Sequence, residues 1–320
     1  MTQRILLIGG LVVGIIAGLF VWDSLTGLSV AEQSEVVQTF EETPPPTTAP
    51  SASIEPPAPD APDDFPAIVD SAIGDIGQRQ IPINVGFGII ETLEHDTSAF
   101  TQGLEISNGR LFESTGLVGE STIRELALDT GEVLRSTDVE DVFAEGLTVV
   151  EDPAGDTAIQ ITWQDEVAFR YDLETFELLE TYSYSGQGWG ICHDGDRLVM
   201  SNGSDTLQFR DAETFELVDE VAVTLSGGPV ELINELECAN GAVWANIWQS
   251  SLIIQIDPES GTVNRVLNAR TLTPPEAEGR TDNVLNGIAF DPEDGTYLLT
   301  GKRWPVTYRV QLFDEVDADG

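Results

Sequence analysis

The sequence contains very few basic residues. Its 320 residues include 14 lysines and arginines against 56 aspartates and glutamates, which gives a formal net charge of −42. A field of this sign repels nucleic-acid phosphates and anionic lipid headgroups, and it attracts cations such as a free peptide amino terminus. The composition therefore argues against nucleic acid as a partner and indicates an acidic globular domain.

Residues that commonly bind metals are equally scarce. The sequence has two histidines, His95 and His193, and two cysteines, Cys192 and Cys238. Their spacing does not suit zinc, and no twelve-residue calcium loop is present. We therefore predict no metal and no cofactor, with a structural calcium ion at the Asp and Asn turns left open. His95 is expected to anchor its loop.

Long apolar runs are absent except for one, residues 5–22. Eighteen residues just span a bilayer as a helix, and the run is long for a secretory signal and lacks a clear cleavage site. We predict that residues 1–30 form a membrane anchor, with a cleaved signal segment as the alternative. Arg4 would stay cytoplasmic and the remainder would be exported. The predicted location is extracytoplasmic, either membrane-anchored or secreted.

Two further segments lack the apolar residues needed for a core. Residues 31–80 are rich in proline and acid, which predicts a disordered linker. Residues 313–320 read as an acidic tail. The folded domain is therefore predicted to span residues 81–312.

The segment 81–312 has almost no helical periodicity. It shows strand-like alternation and Gly, Asn and Asp turns, which predicts an all-β fold. Five similar phrases align on Gln102, Glu145, Trp189, Glu235 and Asn286, with spacings of 43, 44, 46 and 51 residues. A β-strand repeat of this length is typical of a propeller with one four-stranded blade per repeat. We predict a monomeric five-bladed β-propeller whose last blade is completed by the early strand NVGFGIIETL.

Side chains at one register of five innermost strands converge on the central channel. Neighbouring positions in the same phrases add Phe100, Phe143, Asn234 and Lys302, and tryptophans follow at Trp163, Trp244, Trp248 and Trp304. Lys302 is the single lysine of the sequence. Glu235 shares the aligned register and is expected to be structural. Asp129, Asp172, Asp211 and Asp257 are expected to bond the backbone of their turns.

The two cysteines occupy equivalent positions of consecutive repeats in this alignment. Equivalent side chains point the same way around a ring, so one cysteine should face away from the other. We therefore expect no disulfide, although an exported protein is exposed to oxidising conditions and the pairing stays open.

Ten phrases identify a family resemblance over residues 95–305. They are HDTSAFTQGL, LFESTGL, FAEGLTVV, ITWQ, GWGI, MSNGS, PVELINELE, VWANIWQS, LNGIAFD and LTGKRWP. In this order the chain resembles the plant-type glutaminyl-peptide cyclotransferases, also called glutamine cyclotransferases. The resemblance implies a five-bladed propeller that converts amino-terminal glutamine to pyroglutamate with loss of ammonia. Peptides and proteins with amino-terminal glutamine would be the partners.

The resemblance also implies site residues. Glu145 would be the leading catalytic residue, together with Gln102, Asn234 and Lys302. The substrate-binding set would be Phe100, Phe143, Trp163, Trp189 and Trp248. The chain departs from the family pattern at Ala144, where glycine is more frequent, and at Cys238, where an aromatic residue is usual. Neither departure removes a polar site residue.

The reaction needs a neutral α-amine, a proton carrier and a stabilised oxyanion. A glutamate shielded by tryptophans has a raised pKa and suits proton transfer, which is the role expected of Glu145. Lys302 and Asn234 are expected to stabilise the oxyanion, and Gln102 to orient the substrate amide. The alternative is a non-enzymatic extracytoplasmic propeller that binds peptides or acts as a scaffold, since fold alone does not specify function.

Overall fold

The computed structural model describes residues 82–315. Within this range the chain forms 22 β-strands and one short 3-10 helix, Arg270–Leu272, so the all-β prediction is confirmed. No helix in the described range is long and apolar enough to cross a membrane. The predicted anchor 1–30, the predicted linker 31–80 and residues 316–320 lie outside the described residues.

Three sheets are separate four-stranded antiparallel meanders. The first contains β2 (Thr101–Ser107), β3 (Arg110–Thr115), β4 (Thr122–Leu126) and β5 (Val133–Asp138). The second contains β6 (Ala144–Val150), β7 (Thr157–Thr162), β8 (Val167–Asp172) and β9 (Leu178–Ser183). The third contains β10 (Ile191–His193), β11 (Arg197–Met200), β12 (Thr206–Asp211) and β13 (Leu217–Ala222). A hairpin of β14 (Thr224–Leu225) and β15 (Gly228–Pro229) follows.

The remaining strands form one eight-stranded sheet in the order β16-β17-β18-β19-β1-β22-β21-β20. Their bounds are β1 (Ile83–Glu94), β16 (Ile233–Ala239), β17 (Ala242–Ile247), β18 (Leu252–Ile256), β19 (Val263–Asn268), β20 (Leu285–Asp291), β21 (Thr296–Gly301) and β22 (Val306–Asp314). β22 ends two residues beyond the predicted domain boundary at 312.

Strand β1 explains why two of the expected four-stranded sheets are joined. This 12-residue strand pairs in parallel with β19 over its first residues, Ile83 to Val85, and antiparallel with β22 from Val85 to Glu94. The prediction that the early strand completes the last repeat is confirmed by the β22 pairing. The β19 pairing was not predicted, and it arises because β1 is long enough to reach both neighbours.

The first strands of the repeats contact one another in a closed ring. β2 contacts β6, β6 contacts β10, β10 contacts β16, β16 contacts β20, and β20 contacts β2. Buried apolar side chains fill the spaces between successive sheets; Phe112 and Ile123 of the first sheet, for example, pack with Leu147 and Val149 of the second. The interior of the ring is therefore lined by first-strand residues, as the repeat alignment predicted.

Aspartate side chains organise three of the outer turns. Asp172, Asp211 and Asp257 each accept hydrogen bonds from the backbone N–H groups two and three residues ahead, at 2.7–3.1 Å. These three structural predictions are confirmed. Asp129 makes no such bond among residues 82–315, so the prediction for that turn is wrong.

Strand pairing corrects the register of the fourth repeat. An irregularity interrupts pairing just before Leu147, Leu236 and Ile288, which makes these three residues equivalent. Glu145 lies two residues before Leu147, and Asn234 lies two residues before Leu236, so Glu145 and Asn234 occupy equivalent positions. Glu235 is then equivalent to Gly146 of the second repeat. The sequence alignment therefore used Glu235 where Asn234, one residue earlier, is the equivalent position.

Glycine at this position reflects the close approach of neighbouring first strands. A Cβ added to Gly146 would lie 2.7 Å from the backbone nitrogen of Ile191. Glu235 occupies the same register with a side chain that spans the ring, where its carboxyl oxygens accept hydrogen bonds from Leu104 N at 3.3 Å and Ile288 N at 3.0 Å. Glu235 thus links β16 to β2 and β20, which agrees with its expected structural role.

The cysteines form a disulfide, contrary to expectation. With the corrected register, Cys192 lies one residue after Ile191, whereas Cys238 lies two residues after the equivalent Leu236. Successive strand residues point to opposite faces, so the two side chains face each other across the space between β10 and β16. The bridge closes a separation of 46 residues, which stabilises the fold by about 2–4 kcal/mol.

Three glutamates lie inside the ring: Glu105 on β2, and Glu235 and Glu237 on β16. Burial raises the pKa of Glu105 to about 8, against a smaller opposing effect of the hydrogen bond from Thr148. Burial likewise raises the pKa of Glu235 and Glu237 well above 4.5. Oε2 of Glu237 has no hydrogen-bond partner in the described part of the chain. These carboxyl groups therefore bind their protons more tightly in the folded protein than in the unfolded chain.

The raised pKa values predict that stability falls as pH rises above about 4.5, because the unfolded chain then releases protons that the folded chain retains. We expect Glu237→Gln to raise the Tm at pH 8 by about 2–4 °C, equivalent to ~1 kcal/mol, and to leave it unchanged at pH 4. Calorimetry at fixed ionic strength measures this. The exposed Glu216→Gln is the control, and an equal shift of Glu237→Gln at both pH values would contradict the interpretation.

Candidate active site

A narrow cavity is lined by every site residue predicted from the sequence. Its lining residues are Phe100, Gln102, Phe143, Glu145, Trp163, Trp189, Asn234, Trp248 and Lys302. The cavity therefore brings a carboxyl, an ammonium and two amide groups together with five aromatic rings.

Irregular strand pairing positions three polar side chains of this cavity. Pairing skips Gln102 in β2, Glu145 in β6 and Asn234 in β16. A bulge frees a residue from the ladder and redirects its side chain, which is why bulges are frequent beside active sites. All three side chains are buried. The three polar groups consequently converge although they come from three different strands.

Hydroxyl groups from the preceding sheet fix two of these positions. Ser114 Oγ donates a hydrogen bond to the backbone oxygen of Glu145, and Gln160 Nε2 donates to Ser114 Oγ at 2.7 Å. Ser201 Oγ donates to the backbone oxygen of Asn234 at 2.6 Å. The backbone carbonyls beside the bulges are thereby satisfied, which holds Glu145 and Asn234 in place.

Amide groups give the cavity both acceptors and donors. Asn286 Nδ2 donates to Thr101 O at 2.9 Å and to Gln102 Oε1 at 3.3 Å, so the NH2 group of Gln102 is the part left for a bound molecule. Asn234 Oδ1 is buried and has no hydrogen-bond partner among residues 82–315. Because Asn234 lines the cavity, this buried acceptor is placed to receive a hydrogen bond from a bound molecule.

Asn286 was not among the predicted site residues. It does not line the cavity, but it orients Gln102, which does. The repeat alignment contained the relevant signal, since Asn286 occupies the same register as Gln102 and Glu145. The sequence did not show which of the equivalent side chains would bond to each other.

Aromatic rings form the walls of the cavity. Phe143 packs edge-on against Phe100, with ring centroids 6.0 Å apart, and against Trp163 at 5.7 Å. Trp189 packs edge-on against Trp248 at 5.4 Å. These two groups, the Phe100–Phe143–Trp163 wall and the Trp189–Trp248 wall, exclude water and leave room for an apolar stem between polar groups. The other predicted tryptophans, Trp244 and Trp304, are buried outside the cavity lining.

Lys302 lies buried at the edge of the first wall. Its Nζ is 4.5 Å from the centroid of the Phe100 ring, and the Lys302 side chain lines the cavity. Its backbone N–H donates to Val284 O at 2.9 Å, and the next residue, Arg303, donates to Ala99 O at 2.6 Å. This turn is therefore fixed on both sides, and the ring face stabilises the ammonium group.

A buried ionic network supports the same region. His95 Nδ1 donates to Trp304 O at 2.7 Å, and Nε2 lies 3.0 Å from Glu113 Oε1, which also accepts from Thr101. Burial lowers the pKa of His95, but the Glu113 charge and the hydrogen bonds raise it more. Burial raises the pKa of Glu113, but His95 and Arg124 lower it more, to about 2. His95 thus anchors its loop, as predicted, beside the turn that carries Lys302.

The described residues offer no cluster of three or more His, Cys, Asp or Glu side chains arranged to hold a metal ion. His193 lies on β10 and outside the cavity lining. The cavity lining itself presents carboxyl, ammonium and amide groups to a bound molecule.

Comparisons with known proteins point to one group. The glutamine cyclotransferase family model matches residues 68–312. A glutaminyl-peptide cyclotransferase of Arabidopsis thaliana is 37% identical over 230 residues, which cover 70% of this chain and 70% of that protein. The crystal structure of a glutaminyl cyclase from Myxococcus xanthus matches with a TM-score of 0.67 and 41% identity, covering 74% of this chain and 100% of that one.

Proposed function

Because this chain belongs to the glutamine cyclotransferase family, we propose that its cavity converts the amino-terminal glutamine of peptides and proteins to pyroglutamate and releases ammonia. The observation that carries the proposal is the convergence of one carboxyl, one ammonium and two amide groups between aromatic walls. A peptide-binding scaffold does not need these four groups together in a buried cavity, so the scaffold alternative has no support from the site.

Glu145 is the proton carrier of this reaction. The neutral α-amine attacks the side-chain amide carbon, and the attacking nitrogen must then lose a proton while the departing nitrogen gains one. An α-amine has a pKa of about 8, so its neutral form is accessible near neutral pH without a strong base. A buried carboxylate that accepts the first proton and delivers the second contributes about 10²–10⁴-fold.

The other polar groups orient and stabilise the reacting atoms. Lys302 donates to the oxyanion that forms on the amide oxygen, and the NH2 group of Gln102 positions the same amide. Asn234 was expected to help with the oxyanion. Its buried, unpartnered Oδ1 instead suits acceptance of a hydrogen bond from the substrate α-amine.

The aromatic walls supply geometry. The Phe100–Phe143–Trp163 wall and the Trp189–Trp248 wall restrict the glutamine side chain to folded conformations in which the amine approaches the amide carbon. Holding reactants near attack distance lowers the barrier without any chemistry by the walls themselves.

The finer architecture is that of a five-bladed propeller. Support comes from three four-stranded meanders, from two more that are joined by the short β1–β19 pairing, and from the closed ring of first strands. In this architecture the cavity lies at one end of the ring, and β1 closes the last blade by pairing with β22.

The protein acts outside the cytoplasm, attached through residues 1–30 or secreted after cleavage. The Cys192–Cys238 bridge supports this location, because disulfides persist in oxidising compartments. The apolar run at residues 5–22 supports membrane attachment. The monomeric state stays a prediction.

A chelator experiment tests the substrate class and the absence of a metal requirement together. Ammonia release from a Gln-initiated peptide should exceed the spontaneous rate and be unaffected by excess EDTA followed by desalting. The same peptide with an acetylated amino terminus should release no ammonia, because the nucleophile is blocked. Loss of activity that zinc or calcium restores would contradict the metal-independent mechanism.

A further inference from the structure

Gln187 joins the two aromatic walls through a single atom. Its amide oxygen lies 2.8 Å from Trp163 Nε1 and 2.9 Å from Trp189 Nε1, and both indole N–H groups donate to it. An indole N–H is a donor only, so the group facing both tryptophans must be the amide oxygen rather than the NH2 group. Gln187 itself does not line the cavity.

The two indoles belong to different walls. Trp163 packs on Phe143, Phe143 packs on Phe100, and the Phe100 ring contacts the ammonium group of Lys302. Trp189 instead packs on Trp248. Among the described residues, these are the hydrogen bonds of both indole nitrogens. One acceptor oxygen therefore links the two walls.

The backbone around Gln187 is also fixed. Gly186 N donates to Glu166 Oε1 at 2.8 Å, and Gly188 N donates to Trp163 O at 3.1 Å. A Cβ at Gly188 would lie 2.5 Å from the hydroxyl oxygen of Tyr184, so glycine is the residue that fits beside Gln187. The Gln187 side chain therefore extends from a rigid base, as a positioning group requires.

We infer that Gln187 is a positioning residue for the reaction. Its amide oxygen fixes the distance and tilt of Trp163 relative to Trp189, between which the side chain of the substrate glutamine would lie. The inference rests on the proposed function. Without the acceptor, both indoles lose a buried hydrogen-bond partner and rotate toward water, and the near-attack geometry becomes less populated.

Three variants of the full chain test this role. Gln187→Leu removes the acceptor at similar size and should lower kcat/KM for a Gln-initiated peptide by about 10–100-fold, chiefly through kcat, since two hydrogen bonds are lost. Gln187→Glu keeps an acceptor oxygen and should stay within about threefold of the parent. Gln208→Leu removes another half-buried amide, which does not line the cavity, and should match the parent.

Near-ultraviolet circular dichroism of the same variants separates this inference from the proposed function. Gln187→Leu should lose indole fine structure, and Gln187→Glu should retain it, whether or not the parent cyclises the peptide. A parent without activity would overturn the proposed function, while this spectral pattern would still support wall positioning. A Gln187→Leu protein with the parent's spectrum and kcat/KM, or a Gln187→Glu protein as impaired as Gln187→Leu, would overturn the inference.

Discussion

Replacing Glu145 by glutamine should lower kcat for a Gln-initiated peptide by about 10²–10⁴-fold, with a much smaller change in KM. Glutamine has nearly the same shape as glutamate, so the buried side chain keeps its packing but can no longer carry a proton. The backbone bond from Ser114 does not depend on the side chain, so the fold should be retained. Single-turnover kinetics and a thermal unfolding curve measure both effects.

Glu105→Gln is the matched control for this substitution. Glu105 is another glutamate of a first strand, but it does not line the cavity, and its hydrogen bond from Thr148 can be made by a glutamine oxygen. The control should keep the kcat of the parent. A folded Glu145→Gln protein with near-normal kcat would show that proton transfer depends on another group.

Replacing Lys302 by methionine should lower kcat/KM by about 10²–10³-fold, because an oxyanion donor is removed while the aliphatic stem is retained. Lys302→Arg keeps the charge, yet it should lose at least ~10-fold. The planar guanidinium is larger and has a fixed fork of donors, and the cavity beside the Phe100 ring is small. Steady-state kinetics with one peptide series measures all of these variants.

The neighbouring Arg303→Lys variant controls for changes to the turn. Arg303 lies outside the cavity lining and pairs with Asp282 at 3.2 Å, a bond that lysine can also make. It should retain activity within about twofold. If Lys302→Arg is as active as the parent, the occurrence of the single lysine at this position has no catalytic meaning.

Much of the fold could be predicted because the sequence repeats. Alternation and turn residues indicated strands throughout 81–312, and the repeat length placed equivalent residues on neighbouring first strands. The joining of two meanders by β1 could not be predicted, since the alternation of a strand does not specify both of its neighbours.

Strand pairing that the sequence does not specify also explains the two errors in the fourth repeat, the register of Glu235 and the expected absence of the disulfide. Bulges before Leu147, Leu236 and Ile288 add residues that do not pair. A sequence alignment cannot distinguish these residues from paired strand residues. The one-residue misplacement of Glu235 then reversed the expected direction of Cys238, and with it the outcome for the disulfide.

The site residues were easier to predict than their mutual contacts. Family phrases identified nine side chains, and the structure brings all nine to one cavity. The role of Gln187 depends on its bond to Trp163, and that of Asn286 on its bond to Gln102. Both bonds join distant segments, which no local pattern encodes. The orientation of Asn234, with its amide oxygen unpartnered, likewise required three-dimensional geometry.

The most direct test of the account is mass spectrometry of a Gln-initiated peptide incubated with the full chain and, in parallel, with Glu145→Gln at equal concentration. The account predicts that the parent removes one ammonia per peptide much faster than the spontaneous reaction, while Glu145→Gln stays close to the spontaneous rate. An unchanged peptide with the parent protein, or equal rates for the parent and Glu145→Gln, would contradict it.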